Sequence, residues 1–95
     1  MPRSRKSLYE PDYKVLLEML SQKRVEAEVT QVMLCSRIGT SQSMLSKLER
    51  GVVRMDITDL LDYLHGIDVD PVEFMAEYLT RICWKPIARD TQRAS

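Results

Sequence analysis

The sequence predicts an all-α fold, a compact bundle of five helices. Apolar residues recur at helical spacing, helix-capping residues precede the apolar segments, and no segment shows the strict alternation of a half-buried strand. Ninety-five residues suffice for one domain with a modest core. Hydrophobic residues make up 44% of the chain and aromatic residues 6%, so aliphatic side chains must build the core, as in a helical bundle.

The first two predicted helices are separated by a break at Glu28. The first helix is predicted over residues 12–27, where leucines and a tyrosine form an apolar stripe. Thr30 is a good N-cap for the second helix, which is predicted over residues 31–38. Gly39 follows at the position where a helix end favours a left-handed backbone conformation.

Three further helices are predicted from their end signals. Their N-caps are Ser41 for the third helix, Asp56 for the fourth and Asp70 for the fifth. Gly51 and Gly66 end the third and fourth helices, and the fifth is predicted to continue to about Cys83. The stripes predicted to be buried in the last two helices are Ile57, Leu60, Leu61 and Leu64, and then Val72, Met75, Ala76, Leu79 and Ile82 with Cys83.

The predicted domain covers residues 12–84 and includes a C-terminal dimerisation helix. Residues 1–11 are predicted to form a flexible basic arm, either solvated or in contact with a phosphate group, and residues 85–95 a flexible tail. The net charge is zero, but residues 1–50 carry a surplus of positive charge and residues 51–95 a surplus of negative charge. This asymmetry favours a basic half that faces phosphate.

Several classes of function find no support in the sequence. No apolar run is long enough to span a membrane, and the N-terminus lacks the apolar stretch of a signal peptide, so a cytoplasmic location is expected. Cys35 and Cys83 have no metal-ligand spacing, and no serine has a plausible histidine base. We therefore expect no metal site, no cofactor and no enzymatic activity.

The segment from Thr30 to Gly51 meets the requirements of a helix-turn-helix. Two short helices are joined by a tight glycine turn, and a small residue, Cys35, lies where the helices must approach closely. The outer face of the third helix is polar and contains no acidic residue. Such a face can donate and accept hydrogen bonds at base edges. Its members are Gln42, Ser43, Ser46, Lys47 and Arg50.

This segment resembles the Cro/repressor-type, or xenobiotic-response-element-type (XRE), helix-turn-helix family of bacterial and phage transcriptional regulators. The shared features are Thr30-Gln31, Cys35, Gly39, Ser41-Gln42 and Leu48-Glu49-Arg50-Gly51. The resemblance implies a five-helix domain of the phage-repressor type over roughly residues 12–80. Glu28 departs from the family pattern, because relatives often have Gly or Asn there, and it implies either a strained residue or a different loop.

The resemblance also implies roles for individual residues in binding double-stranded DNA. The base-reading residues would be Gln42, Ser43, Ser46 and Lys47, with Gln42 as a bidentate partner of adenine. The phosphate-binding residues would be Gln31, Arg50 and Arg54. Arg24 and Glu49 match a pair that forms a buried structural ion bridge in relatives.

Dimerisation is expected because one short helix contacts too few base pairs for specificity. Three aromatic residues do not fit the predicted stripe of the fifth helix and are interpreted as a homodimer interface: Phe74, Tyr78 and Trp84. The predicted function is a sequence-specific regulator, acting as a repressor on a palindromic operator. Two alternatives are an antitoxin that binds a toxin and represses its own operon, and a protein–protein adaptor that does not bind DNA.

Overall fold

The computed structural model describes the backbone of residues 2–85 and the side chains of residues 11–85. These residues form five α-helices and contain no β-strand. The helices are α1 (Pro2–Glu26), α2 (Gln31–Ile38), α3 (Gln42–Glu49), α4 (Ile57–Gly66) and α5 (Pro71–Arg81). The all-α fold with five helices is therefore confirmed, and the predicted flexible tail lies outside the described residues except for Lys85.

Helix α1 is longer than predicted and includes most of the proposed arm. The helix begins at Pro2 and passes through Pro11, so the predicted start of the helix at residue 12 is wrong. Pro2 suits the first position of a helix because its N–H would be unpaired there anyway. Pro11 removes one backbone hydrogen bond, but the residues between the two prolines include several good helix formers, and the helix continues through it.

The predicted caps hold the shorter helices. The Thr30 and Ser41 side chains accept hydrogen bonds from the Met33 and Met44 N–H groups, at 3.1 and 3.0 Å. At the start of α4, Asp56 and Asp59 each accept from the other's backbone N–H, which completes a capping box. These caps satisfy the backbone donors that a first helical turn leaves free.

The core lies where α1, α2, α3 and α4 converge and α5 closes one side. Its members are mostly aliphatic, with one tyrosine and one phenylalanine. Burial of this apolar surface is the main stabilising contribution to the fold. The side chains that are most completely buried are Met19, Leu20, Leu34, Leu45, Tyr63, Leu64 and Phe74.

The predicted buried stripes of α4 and α5 are partly wrong. Ile57 and Leu61 are 66% and 43% exposed, and Val72 is 75% exposed. Tyr63 and Phe74 are each only 1% exposed. In both helices two adjacent stripes have helical spacing. The stripe that contains an aromatic residue faces the core, because an aromatic ring carries more apolar area. Ala76 and Cys83, which were assigned to the other stripe, are exposed.

Gly66 lets α4 approach α2 closely. The helix includes Gly66, and the left-handed residue that follows is Asp68, with φ of 60°. A methyl group at Gly66 would overlap Cδ1 of Leu34 and lie 3.0 Å from Cγ2 of Ile38. The glycine is therefore required by packing and not by its backbone conformation. No helix among the described residues is both long enough and apolar enough to cross a membrane.

Candidate nucleic-acid interface

A tight turn sets the angle between α2 and α3. Gly39 has φ of 72°, a left-handed conformation that glycine adopts without strain. The carbonyl oxygen of Cys35 accepts hydrogen bonds from the N–H groups of Gly39 at 2.8 Å and Thr40 at 3.1 Å. Leu34 and Leu45 are both fully buried behind the turn. The two helices therefore form a rigid pair with one side of α3 facing outward.

The outward face of α3 carries the predicted DNA-reading residues. Gln42, Ser43, Lys47 and Arg50 are exposed, and Ser46 is partly buried. The Arg50 side chain lies back along the helix, where its Nε donates to the Ser46 carbonyl oxygen at 3.3 Å. The only acid of the helix, Glu49, faces inward with 8% of its side chain exposed. The exposed face thus offers hydrogen-bonding groups and positive charge without a carboxylate that would repel phosphate.

The Glu49 carboxylate is the centre of a hydrogen-bond network. Arg24 donates through Nε to Oε2 at 2.8 Å and through Nη2 to Oε1 at 3.3 Å, which forms the ion pair between α1 and α3. The Tyr63 hydroxyl donates to Oε2 at 2.5 Å, and Gln31 Nε2 donates to Oε1 at 2.8 Å. Arg24 also donates to the Val29 carbonyl oxygen at 3.0 Å. One carboxylate therefore connects α1, α2, α3 and α4.

The network keeps both charged groups ionised. Burial opposes the ionisation of Glu49, but hydrogen bonds from Tyr63, Gln31 and Arg24 outweigh it and lower the pKa of Glu49 below its ordinary value. Burial likewise opposes the charge on Arg24, and its interactions with Glu49 and Tyr63 raise its pKa. Burial and the hydrogen bond to Glu49 raise the pKa of Tyr63. The tyrosine therefore stays protonated and acts as a donor.

Gln31 connects this network to the outward face of α3, which we call the reading face. Its Nε2 donates to Glu49, while its Oε1 accepts from Nε2 of Gln42 at 3.4 Å. Gln31 lies in the first turn of α2 and Gln42 in the first turn of α3. The side chain predicted to bind phosphate and the one predicted to read bases are therefore neighbours.

The Arg54 guanidinium lies beyond the C-terminal end of α3. The Arg54 guanidinium stacks over the Tyr13 ring, with its central carbon 4.3 Å from the ring centroid. The Tyr13 hydroxyl accepts a hydrogen bond from the Met55 N–H at 2.9 Å, which holds the ring in place. Lys14, Arg50 and Arg54 line the same cleft. This cleft presents three cations beside the reading face.

The proposed interface aromatics occupy different environments. Phe74 lies in the core and contacts no solvent, so its assignment to a dimer interface is wrong; its ring fills the space between α5 and the other helices. Tyr78 is partly buried, and its hydroxyl donates to the Asp12 carbonyl oxygen at 2.9 Å. Trp84 is 56% exposed. Of the three, Trp84 presents the largest free apolar surface.

Comparison with known proteins identifies the family. A family model described as helix-turn-helix matches residues 20–74, more than half of the chain. The chain is also similar to the structure of an XRE-family like protein from Pseudomonas syringae pv. tomato str. DC3000, with a TM-score of 0.78 and 31% sequence identity. That match covers 82% of this chain and 95% of the other. This chain belongs to the XRE-type helix-turn-helix family.

Two further solved structures extend the comparison of the fold. The wild-type restriction–modification controller protein C.Esp1396I matches with a TM-score of 0.68 and 21% identity, over 75% of this chain and 93% of the controller. A point mutant of that controller gives a TM-score of 0.67 and 20% identity, over 77% and 92%. No curated protein sequence matches the chain. The family consists of DNA-binding transcriptional regulators, and this chain is one of them.

Sequence reasoning missed two contributors to the candidate interface. Tyr63 was not assigned to any face, although it lies three residues after Leu60 and one before Leu64 on the buried side of α4. A buried tyrosine needs a partner for its hydroxyl, so its position could have suggested the contact with Glu49. Lys14 was missed because the structure brings α1 beside the end of α3, a contact that spacing along the chain does not reveal. Among the described residues, no group of three His, Cys, Asp or Glu side chains could hold a metal ion.

Proposed function

We propose that this protein is a sequence-specific transcriptional repressor that binds a palindromic operator as a homodimer, with α3 in the major groove. The acid-free outward face of α3 carries this proposal, because it holds a glutamine, serines and a lysine on a helix braced from behind by Glu49. An α-helix fits the width of the major groove of B-DNA. A DNA-bound repressor needs only to occupy its operator to exclude competing proteins.

Roles within the site follow from the chemistry of each group. Gln42 can donate and accept at one base edge, which is the pattern that adenine offers in the major groove. Ser43, Ser46 and Lys47 lie next to it and contact neighbouring bases. Lys47 extends furthest, because its four-carbon side chain is exposed and no hydrogen bond among the described residues restrains it.

Phosphate binding rests on groups at both ends of α3. Gln31 lies at the N-terminus of α2, where free backbone N–H groups and the helix dipole favour an anion. Lys14, Arg50 and Arg54 lie at the other end in one cleft. Contacts on both sides of the reading face fix the orientation of α3 on the duplex and do not depend on base sequence.

Pairing of two chains supplies the remaining specificity. We assign the contact to the C-terminal part of α5 and the residues that follow it, where Tyr78 is partly exposed and Trp84 is exposed. A two-fold symmetric dimer would place two α3 helices in successive major grooves, about 34–36 Å apart. The operator would then have the same two-fold symmetry.

Selection from a pool of random duplexes at low salt tests the proposal. The expected result is enrichment of a two-fold symmetric sequence, with two chains per duplex by light scattering. Gln42→Ala should lose preference at one or two positions of each half-site, whereas Gln22→Ala, which changes an exposed glutamine of α1, should leave preference unchanged. A reporter promoter that overlaps the enriched site should be silenced by the wild-type protein. Failure to enrich any sequence would refute the proposal.

A further inference from the structure

Tyr63 lies outside the helix-turn-helix and still contacts its internal support. The residue belongs to α4, is 1% exposed, and its hydroxyl donates a hydrogen bond to Oε2 of Glu49. Its ring could pack in the core without the hydroxyl. The hydroxyl therefore has a role apart from filling space, and among the described residues it donates a hydrogen bond to the carboxylate behind the reading face.

The ionised Glu49 carboxylate fixes the orientation of the Gln31 side-chain amide. A carboxylate can only accept hydrogen bonds, so Gln31 must turn its Nε2 toward Glu49. Its Oε1 then points away from the network, and Gln42 must present Nε2 to it. A reversed Gln31 would place an oxygen against the carboxylate and a nitrogen against Gln42. Two acceptors would then face each other at Glu49 and two donors at Gln42, so neither contact could form a hydrogen bond.

The orientation of the Gln42 side-chain amide matters because its nitrogen donates hydrogen bonds and its oxygen accepts them. One Nε2 proton is directed toward Gln31, which leaves the second proton and Oε1 for a base. This donor–acceptor pair matches the acceptor and donor that adenine shows in the major groove. A Gln42 amide that rotates freely would spend part of its time in the opposite arrangement, with lower affinity and lower preference.

We propose that Tyr63 is a positioning residue for DNA reading: its hydroxyl, together with Arg24, holds Glu49 so that Gln31 orients the amide of Gln42. This inference rests on the proposed function, because it assigns Gln31 and Gln42 to the DNA interface. Arg24 contacts Oε2 of Glu49 from α1, and the Tyr63 hydroxyl contacts the same oxygen from α4. The carboxylate is therefore held from two directions. Loss of the hydroxyl allows Glu49 to rotate and loosens Gln31.

A double-mutant cycle with Tyr63→Phe and Gln31→Ala tests the coupling. We expect Tyr63→Phe to weaken binding to the enriched duplex roughly 3- to 30-fold, the range of an indirect coupling, and to leave binding to a scrambled duplex nearly unchanged. In the Gln31→Ala background the same change should cost little, because the path to Gln42 is already broken. Equal losses in both backgrounds, or on both duplexes, would overturn the proposal.

A control separates positioning from general destabilisation. Leu64→Val removes a methylene from the next residue of α4, in the same core, without removing a hydrogen bond to Glu49. At a temperature where circular dichroism shows every variant folded, Leu64→Val should keep the wild-type preference between the two duplexes. A loss of preference that matches Tyr63→Phe would contradict the assignment.

A measurement on the wild-type protein covers the case in which Tyr63→Phe does not fold. In free ¹⁵N-labelled protein, the side-chain amide protons of Gln31 should exchange with water more slowly than those of exposed Gln22. Equal exchange rates would show that Glu49 does not hold Gln31 and would overturn the inference. The proposed function fails separately, if the wild-type chain enriches no duplex; selective wild-type binding with an unaffected Tyr63→Phe variant refutes the inference alone.

Discussion

Arg24 on α1 and Glu49 on α3 form an ion pair across 25 residues of sequence, with Nε 2.8 Å from Oε2 and both side chains mostly buried. The pair does more than join two helices. It neutralises a carboxylate that would otherwise lie unpaired behind the face that meets DNA. The ion pair therefore affects both the stability of the fold and the geometry of the candidate interface.

Removal of Arg24 should destabilise the fold strongly. We expect Arg24→Met to reduce the free energy of unfolding by about 3 kcal/mol, because it leaves the Glu49 charge buried with only neutral partners. Urea denaturation followed by circular dichroism measures the change. Lys23→Met is the matched control, since Lys23 pairs with Glu77 at a much more exposed site and should matter far less. A loss no larger than that of the control would contradict the prediction.

Glu28 is strained, and glycine should relieve the strain. Its φ of 60° lies in the left-handed region, where a side chain costs roughly 1–2 kcal/mol. Glu28→Gly should therefore raise the melting temperature, by roughly 4–8 °C for each kcal/mol gained. Calorimetry of Glu28→Gly beside Ala27→Gly is the check, because residue 27 lacks a positive φ and glycine there should destabilise. Equal effects of the two changes would show that the backbone conformation is not limiting.

Gly66 should not tolerate a methyl group. Gly66→Ala would force Leu34 and Ile38 to move inside a close-packed interface between α2 and α4. We expect a loss of about 1–3 kcal/mol of unfolding free energy. Chemical denaturation compares this variant with His65→Ala, a change at the exposed preceding residue. A Gly66→Ala variant as stable as His65→Ala would show that the two helices separate more easily than their packing indicates.

Arg54 and Gln42 should affect binding in different ways. Arg54→Gln removes a charge from the cleft, so it should weaken binding to all duplexes and reduce the slope of log affinity against log salt by about one. Gln42→Ala should change base preference and leave the salt slope nearly unchanged. Titrations of enriched and scrambled duplexes at several salt concentrations separate the two effects. A salt slope that Arg54→Gln leaves intact would exclude Arg54 as a phosphate contact.

Stability should decline at acid pH because of Glu49. Its pKa is lower in the folded protein than its ordinary value of 4.5, so the unfolded chain takes up the proton first. The stabilisation is complete above pH 4.5 and is lost as the pH falls through the lower folded pKa. Tyr63→Phe removes one contact that lowers this pKa, so its cost in unfolding free energy should be larger at pH 7 than at pH 3. Equal costs at the two pH values would contradict this assignment.

The sequence predicted the helix-turn-helix more accurately than the helices that surround it. The second helix was predicted with its observed bounds, and Thr30, Ser41 and Asp56 cap their helices as expected, because a cap depends on residues only three positions apart. The predicted start of α1 at residue 12 was wrong, because the helix begins at Pro2 and passes through Pro11.

The buried faces of the last two helices could not be derived from spacing alone. Leu61 and Tyr63 lie on neighbouring stripes of α4, and both stripes have the period of a helix. The packing of α4 against α2 and α5 decides between them, and that information comes from distant parts of the chain. The same limit explains why Phe74 was assigned to the surface and why the role of Tyr63 was not foreseen.

The two sides of α3 are under separate constraints. Leu45, Leu48 and Glu49 hold the helix in place, while among the described residues the side chains of Ser43 and Lys47 make no hydrogen bond or ion pair. Substitutions at these two exposed positions can therefore accumulate with little effect on folding. Under the proposed function, new operator specificities can arise on this scaffold by mutation of a few surface residues, whereas the residues beneath them must change together or not at all.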